Sequence, residues 1–173
     1  MLDFMFAILA VGLNGAVSQG AKAAGPGANL GAESAAGAGA ENAGNEGLVA
    51  EPQTPSGKFT TAMEIRPILE ATKASWVAVR VYDGQDLVYV THLWSWRCGW
   101  AAMAISINGA PLQDWPLPPC HKDLATPNAV LEQDGLPYRA MPEGSVQTVK
   151  VRVVYDDLKV DEATFERGAV LIP

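Results

Sequence analysis

Two cysteines, Cys98 and Cys120, and two histidines, His92 and His121, are the side chains best suited to redox, metal or proton-transfer chemistry. In an exported chain an even cysteine count favours a disulfide. A Cys98–Cys120 bridge would close a loop of about 23 residues and contribute roughly 3 kcal/mol. The competing use of the same residues is a zinc site with the two histidines. On a strand His92 and Cys98 face the same side, but Cys120 and His121 are adjacent and splay apart. Zinc sites are usually built on close ligand pairs, which this spacing lacks, so no metal or other cofactor is assigned. The C-x-x-C spacing of thioredoxin-like and haem-attachment motifs is absent. So are the G-x-S-x-G elbow, H-E-x-x-H and a phosphate-cradling glycine loop. The remaining hydrolytic option is His92 or His121 acting as a base with an acid from Asp156, Asp157, Asp161 or Glu162. Those acids fall at a turn, where their type also serves turn chemistry.

Aromatic residues crowd the same region. LWSWRCGW (93–100) contains three of the five tryptophans. On a strand Trp94, Trp96 and Cys98 share one face, as a core packed against a disulfide requires. Arg97 takes the opposite face, while Trp100 lies beyond the strand end and Trp115 in a later loop. These three, Arg97, Trp100 and Trp115, are the candidate ligand-binding residues. They could form a flat aromatic surface for sugar rings or a peptide, with Arg80 and Arg152 as further cationic partners.

The elements that must position these residues are mostly strands. Pro67 suits the first position of a short helix, PILEATKA. VAVRVY (77–82) alternates cleanly and leads through Asp83-Gly84 into a return strand, LVYVTHLWSW (87–96). Apolar residues on both faces of that second run imply a central strand. A third strand covers 101–108 and a fourth 146–157. A fifth, ATFERGAVLI, carries Gly168 at a plausible bulge. Between Gly109 and Gly144 lie seven of the 12 prolines, which exclude an interior strand and most helix. The expected fold is a β-dominated α+β domain: an antiparallel sheet or sandwich of about five strands, one short N-terminal helix and a disulfide-stapled proline-rich loop.

That domain occupies residues 58–173. Before it, residues 1–23 read as a secretory signal peptide with Ala21-Lys22-Ala23 as the cleavage pattern. The alternatives are an uncleaved N-terminal anchor and a soluble cytosolic chain. The apolar run from Phe4 to Val17 is shorter than the roughly 18–20 residues a spanning helix needs, so no stable span is expected in the mature chain. Residues 24–57, rich in Ala and Gly, read as a disordered linker. Net charge is −7, which disfavours nucleic acid and anionic membranes as partners. The run from ILEATKASWVAVRVYDGQDLVYVTHLWSWRCG to the PPCH segment resembles uncharacterised exported proteins of proteobacteria, which implies export and a single domain and carries no catalytic residue. The expected role is a non-enzymatic module of the periplasm or cell exterior, structural or binding an envelope protein or glycan. The rival is a small envelope hydrolase using His92 or His121.

Overall fold

The computed structural model describes residues 47–173; the expected signal segment 1–23 and the expected linker as far as 46 lie outside the described residues. The rest of that linker is tied to the domain. The Glu51 amide donates to the Asp156 carbonyl at 2.8 Å. Gln53 bridges the Asp156 side chain (2.7 Å) and the Met63 amide (2.9 Å). Packing against the domain therefore includes residues before the expected boundary at 58, and Gln53 satisfies one of the amides that the first turn of a helix leaves without partners.

That helix, α1, spans Ala62–Ala71, beginning earlier than the expected start at Pro67. The reason is Glu64 in the first turn, whose side chain reaches back to the residues before the helix. The Glu64 carboxylate accepts from the amides of Ser56 (3.0 Å), Gly57 (2.6 Å) and Thr60 (3.0 Å) and from the Thr61 hydroxyl (3.1 Å). Pro67 sits inside the helix and removes one backbone bond. Burial of Ile65 and Leu69 on the core side holds the helix together around it.

Strands β1 (Ala78–Tyr82) and β2 (Gln85–Tyr89) form the expected hairpin. Its two turn residues, Asp83 and Gly84, both have positive φ (50° and 70°), the conformation a two-residue hairpin loop with native twist requires. The second strand does not continue to Trp96. It stops at Tyr89, and the chain turns into α2 (Thr91–Trp94) and a 3₁₀ turn at Arg97–Gly99. A run that is apolar on every side fits a buried helical turn as well as a central strand. Trp94 and Cys98 are buried as expected, but from helical turns and not from a shared strand face; Trp96 is half-buried.

The remaining elements are β3 (Trp100–Ile107), β4 (Gln113–Asp114), β5 (Tyr138–Pro142), β6 (Thr148–Tyr155), β7 (Val160–Glu166), α3 (Arg167–Val170) and β8 (Leu171–Ile172). The fifth expected strand is thus divided, and Gly168 lies in a helical turn rather than a bulge. The proline-rich region contributes two strands that were not expected, β4 and β5. Both lie at sheet edges, where a missing amide costs no ladder bond.

The strands form two sheets, β5-β2-β1-β8 (sheet I) and β4-β3-β6-β7 (sheet II), antiparallel except for β1 and β8. Register brings Met103, Ile105 and Ile107 opposite Val153, Val151 and Val149. Most of these join Val79 and Val88 of sheet I and Ile65 and Leu69 of α1 in one core. The architecture is therefore a sandwich. At one end of the sheets β7, α3 and β8 carry the chain from sheet II to sheet I, with Val170 buried beneath. At the opposite edge β4 and β5 are joined through the proline-rich residues 115–137, and the Arg139 guanidinium donates to the Asp114 carbonyl at 3.0 Å. No helix among the described residues is long and apolar enough to cross a membrane.

Candidate functional site

Cys98 and Cys120 are joined, with Cα atoms 4.9 Å apart, and no cysteine is free. Next to the bridge is a cation the sequence places on the accessible side: Arg97. It is buried, and its guanidinium donates to the carbonyls of Pro119 (3.0 Å), Trp94 (3.1 Å), Asn128 (2.7 Å) and Ala129 (2.8 Å) and to Asp134 (3.1 Å). A guanidinium has five N–H groups, and all five are used. Burial pulls its pKa below the usual value, with Asp134 opposing. Arg97 is therefore the internal brace of the proline-rich loop and has no donor left for a ligand. A strand-parity argument could not see this, because Arg97 is not on a strand.

Trp100 and Trp115 also differ from expectation. They are 7% and 5% exposed and belong to the core. Trp100 begins β3, and Trp115 is drawn in by its amide's bond to the Met103 carbonyl at 2.9 Å. A flat aromatic surface built on these two rings does not exist.

The histidines and the acidic turn are separated. His121 Nε2 lies 3.0 Å from both oxygens of Asp134, the carboxylate already bound by Arg97 and by the Leu131 amide (2.8 Å). Loss of water opposes ionisation of Asp134, but the Leu131 amide, His121 and Arg97 outweigh it and hold its carboxyl below the usual range. His92 Nε2 lies 2.8 Å from the Thr72 hydroxyl, which itself donates to the Ile68 carbonyl. The hydroxyl must then accept from His92, which leaves Nδ1 as the ring's acceptor. Burial lowers the His92 pKa, keeping the ring neutral. The turn acids have other work. Asp156 binds the Ala62 amide, Asp157 pairs with Arg66, Asp161 with Lys73, and Glu162 with Lys150. Neither histidine meets any of them. Among the described residues no group of three or more His, Cys, Asp or Glu is placed to hold a metal ion.

The outer faces of the two sheets differ sharply. Sheet II presents Lys150, Arg152 and Glu162, joined in ion pairs. Sheet I presents tyrosines. Cross-strand register puts Ala78 opposite Tyr89 and Tyr89 opposite Tyr138, with Arg80 and Tyr82 at alternate positions of β1 on the same side. Tyr82, Tyr89 and Tyr138 are three of the four tyrosines. The rings of Tyr89 and Tyr138 lie 5.0 Å apart, and the Arg80 guanidinium sits 5.5 Å from the Tyr82 ring centre. At the end of this face is a shallow cleft of about 440 Å³, lined by Ser75, Arg80, Tyr89, Thr91, His92 and Ile172 over Trp76. It offers aromatic and apolar surface, three hydroxyls, a neutral imidazole and a guanidinium.

The alternation of VAVRVY already puts Arg80 and Tyr82 on one face, and the return strand puts Tyr89 there. Tyr138 was hidden in the proline-rich segment and joins them only through the pairing of β5 with β2. Comparison with family models, with curated proteins and with solved structures finds no match.

Proposed function

We propose that the protein is an exported envelope module that acts by binding rather than by catalysis, and that its ligand is a glycan chain laid on the outer face of sheet I. The observation that carries this reading is the gathering of Arg80, Tyr82, Tyr89 and Tyr138 on one face of sheet I, beside a shallow cleft. Tyrosine rings supply rigid area for the faces of sugar rings. The hydroxyls of Ser75 and Thr91, the His92 acceptor and Arg80 supply the hydrogen bonds that orient hydroxyl groups. Export is supported by the Cys98–Cys120 bridge, since disulfides persist in oxidising compartments. A role in binding is supported by the commitment of Arg97, Asp134 and His121 to holding a loop.

The test is a screen of neutral and acidic oligosaccharides against the full chain by nuclear magnetic resonance. Tyr89→Ala and Tyr138→Ala should each weaken binding roughly three- to tenfold, while Lys150→Ala on sheet II should leave it unchanged. If extended peptides bind this face and saccharides do not, or if neither tyrosine affects binding, the glycan reading is wrong.

A further inference from the structure

A second site lies on the opposite side of sheet I, where the sandwich opens between β4 and β5. A cleft of about 300 Å³ enters there. Val88 and Met141 of sheet I line one side, and Ile105, Ile107 and Trp115 line the other. Val88, Ile105 and Trp115 are buried, so the inner end of the cleft is the core itself. Its volume falls at the small end of ordinary ligand sites, with room on the order of ten water-sized groups.

The cleft also has a charged residue, Arg139, which is only partly buried. Its guanidinium lies 4.2 Å from the Trp115 ring centre and donates one bond, at 3.0 Å, to the Asp114 carbonyl. These two contacts fix its position without using all its donors. Arg66, Arg97, Arg152 and Arg167 are all in ion pairs, whereas Arg139, like Arg80 on the outer face, makes none with any described residue. A fixed cation beside an apolar cavity is complementary to a ligand with one anionic end and a hydrocarbon body.

We infer that this cleft binds a medium-length alkyl monocarboxylate, of about eight to ten carbons, with its chain between the sheets and its carboxylate on Arg139. This site does not depend on the tyrosine face and would stand if that reading failed. The chain length follows from the volume, and the headgroup follows from the open donors of Arg139.

The test uses sodium octanoate, octan-1-ol and octylamine on the full disulfide-bonded chain. Octanoate should bind saturably below about 10 mM, shifting the Trp115 indole and the Ile105 and Ile107 methyl resonances. It should bind about ten- to a hundredfold more tightly than octan-1-ol, and octylamine should be weakest. Arg139→Gln should abolish the preference for octanoate over the alcohol. Ala110→Trp, at the exposed rim, should weaken both by blocking entry. If Arg139→Gln does not fold, the three-ligand comparison on the native chain decides alone. Equal binding of octanoate and octanol, shifts confined to other regions, or no saturable binding would each overturn the proposal.

Discussion

Replacing Arg97 with methionine tests the central mechanical claim, that one buried cation holds the proline-rich loop in place. The substitution keeps an unbranched apolar stem and deletes the guanidinium. Five hydrogen bonds go, and four backbone carbonyls, those of Trp94, Pro119, Asn128 and Ala129, lose their donor. An orphaned buried acceptor costs about 1–3 kcal/mol, but the carbonyls on the loop side regain water once the loop lifts. Removing one member of a buried charged network typically costs about 3–5 kcal/mol, and that is the expected loss for Arg97→Met. Against a total stability of about 5–15 kcal/mol for a domain, this lowers the melting temperature by roughly 10–20 °C. Arg97→Lys should recover less than half of the loss, because an ammonium cannot fork to carbonyls on both sides. Urea unfolding followed by circular dichroism, on protein with its disulfide intact, measures the change. Limited proteolysis should show new cleavage between residues 110 and 137. A loss below about 1 kcal/mol, with no new cleavage, would show that the loop is held by the disulfide and prolines alone.

Three further expectations bear on the same framework. Gly99→Ala would put a methyl carbon 2.7 Å from Ile65 Cδ1 and 2.8 Å from the Thr61 carbonyl carbon; forcing the helix away should cost about 1–3 kcal/mol, and a variant as stable as the parent would contradict the close approach of α1. Denatured, unreduced protein should show no free thiol, and reduction should cost about 3 kcal/mol; detection of two thiols would refute the Cys98–Cys120 bridge. The paired hydrogen bonds from Arg167 hold the Asp86 carboxyl down to about 2. With a folded value below the unfolded one, Asp86 contributes stability above about pH 4, and that contribution is lost as pH falls towards 2. Asp86→Asn should flatten the pH dependence of melting in that window, and an unchanged slope would count against the ion pair.

Much of the scaffold could be read from residue patterns. The alternation in VAVRVY and VQTVKVRVVY set two strands and their inward valines, and Asp83-Gly84 set the first hairpin. Local chemistry also marks the start of α1: Thr61-x-x-Glu64 places it better than Pro67 does. The stretch after Tyr89 was not legible in the same way. Val90 to Trp96 offers apolar residues at both helical and strand spacing, and only packing against α1 and the disulfide turn selects the helical form. The misplacement of Arg97 and Trp100 followed directly from reading that stretch as a strand. The burial of Trp115 was not legible for another reason: nothing near it in sequence shows that its amide pairs with Met103 and carries its ring under Arg139.

The sequence by itself determined the β-dominated class, the pairing of the two cysteines, and the absence of several catalytic motifs. These depend on local alternation, turn residues and counting, which act over a few positions. The tertiary structure alone decided that there are two sheets, that Arg97 faces inward to four carbonyls, and that Tyr138 joins Tyr89 across strands far apart in the chain. It also formed the cleft at the β4–β5 edge and put Arg139 beside it. Such features arise from contacts between residues tens of positions apart, where the gain in burying one surface is weighed against every alternative partner, and no local pattern encodes that comparison.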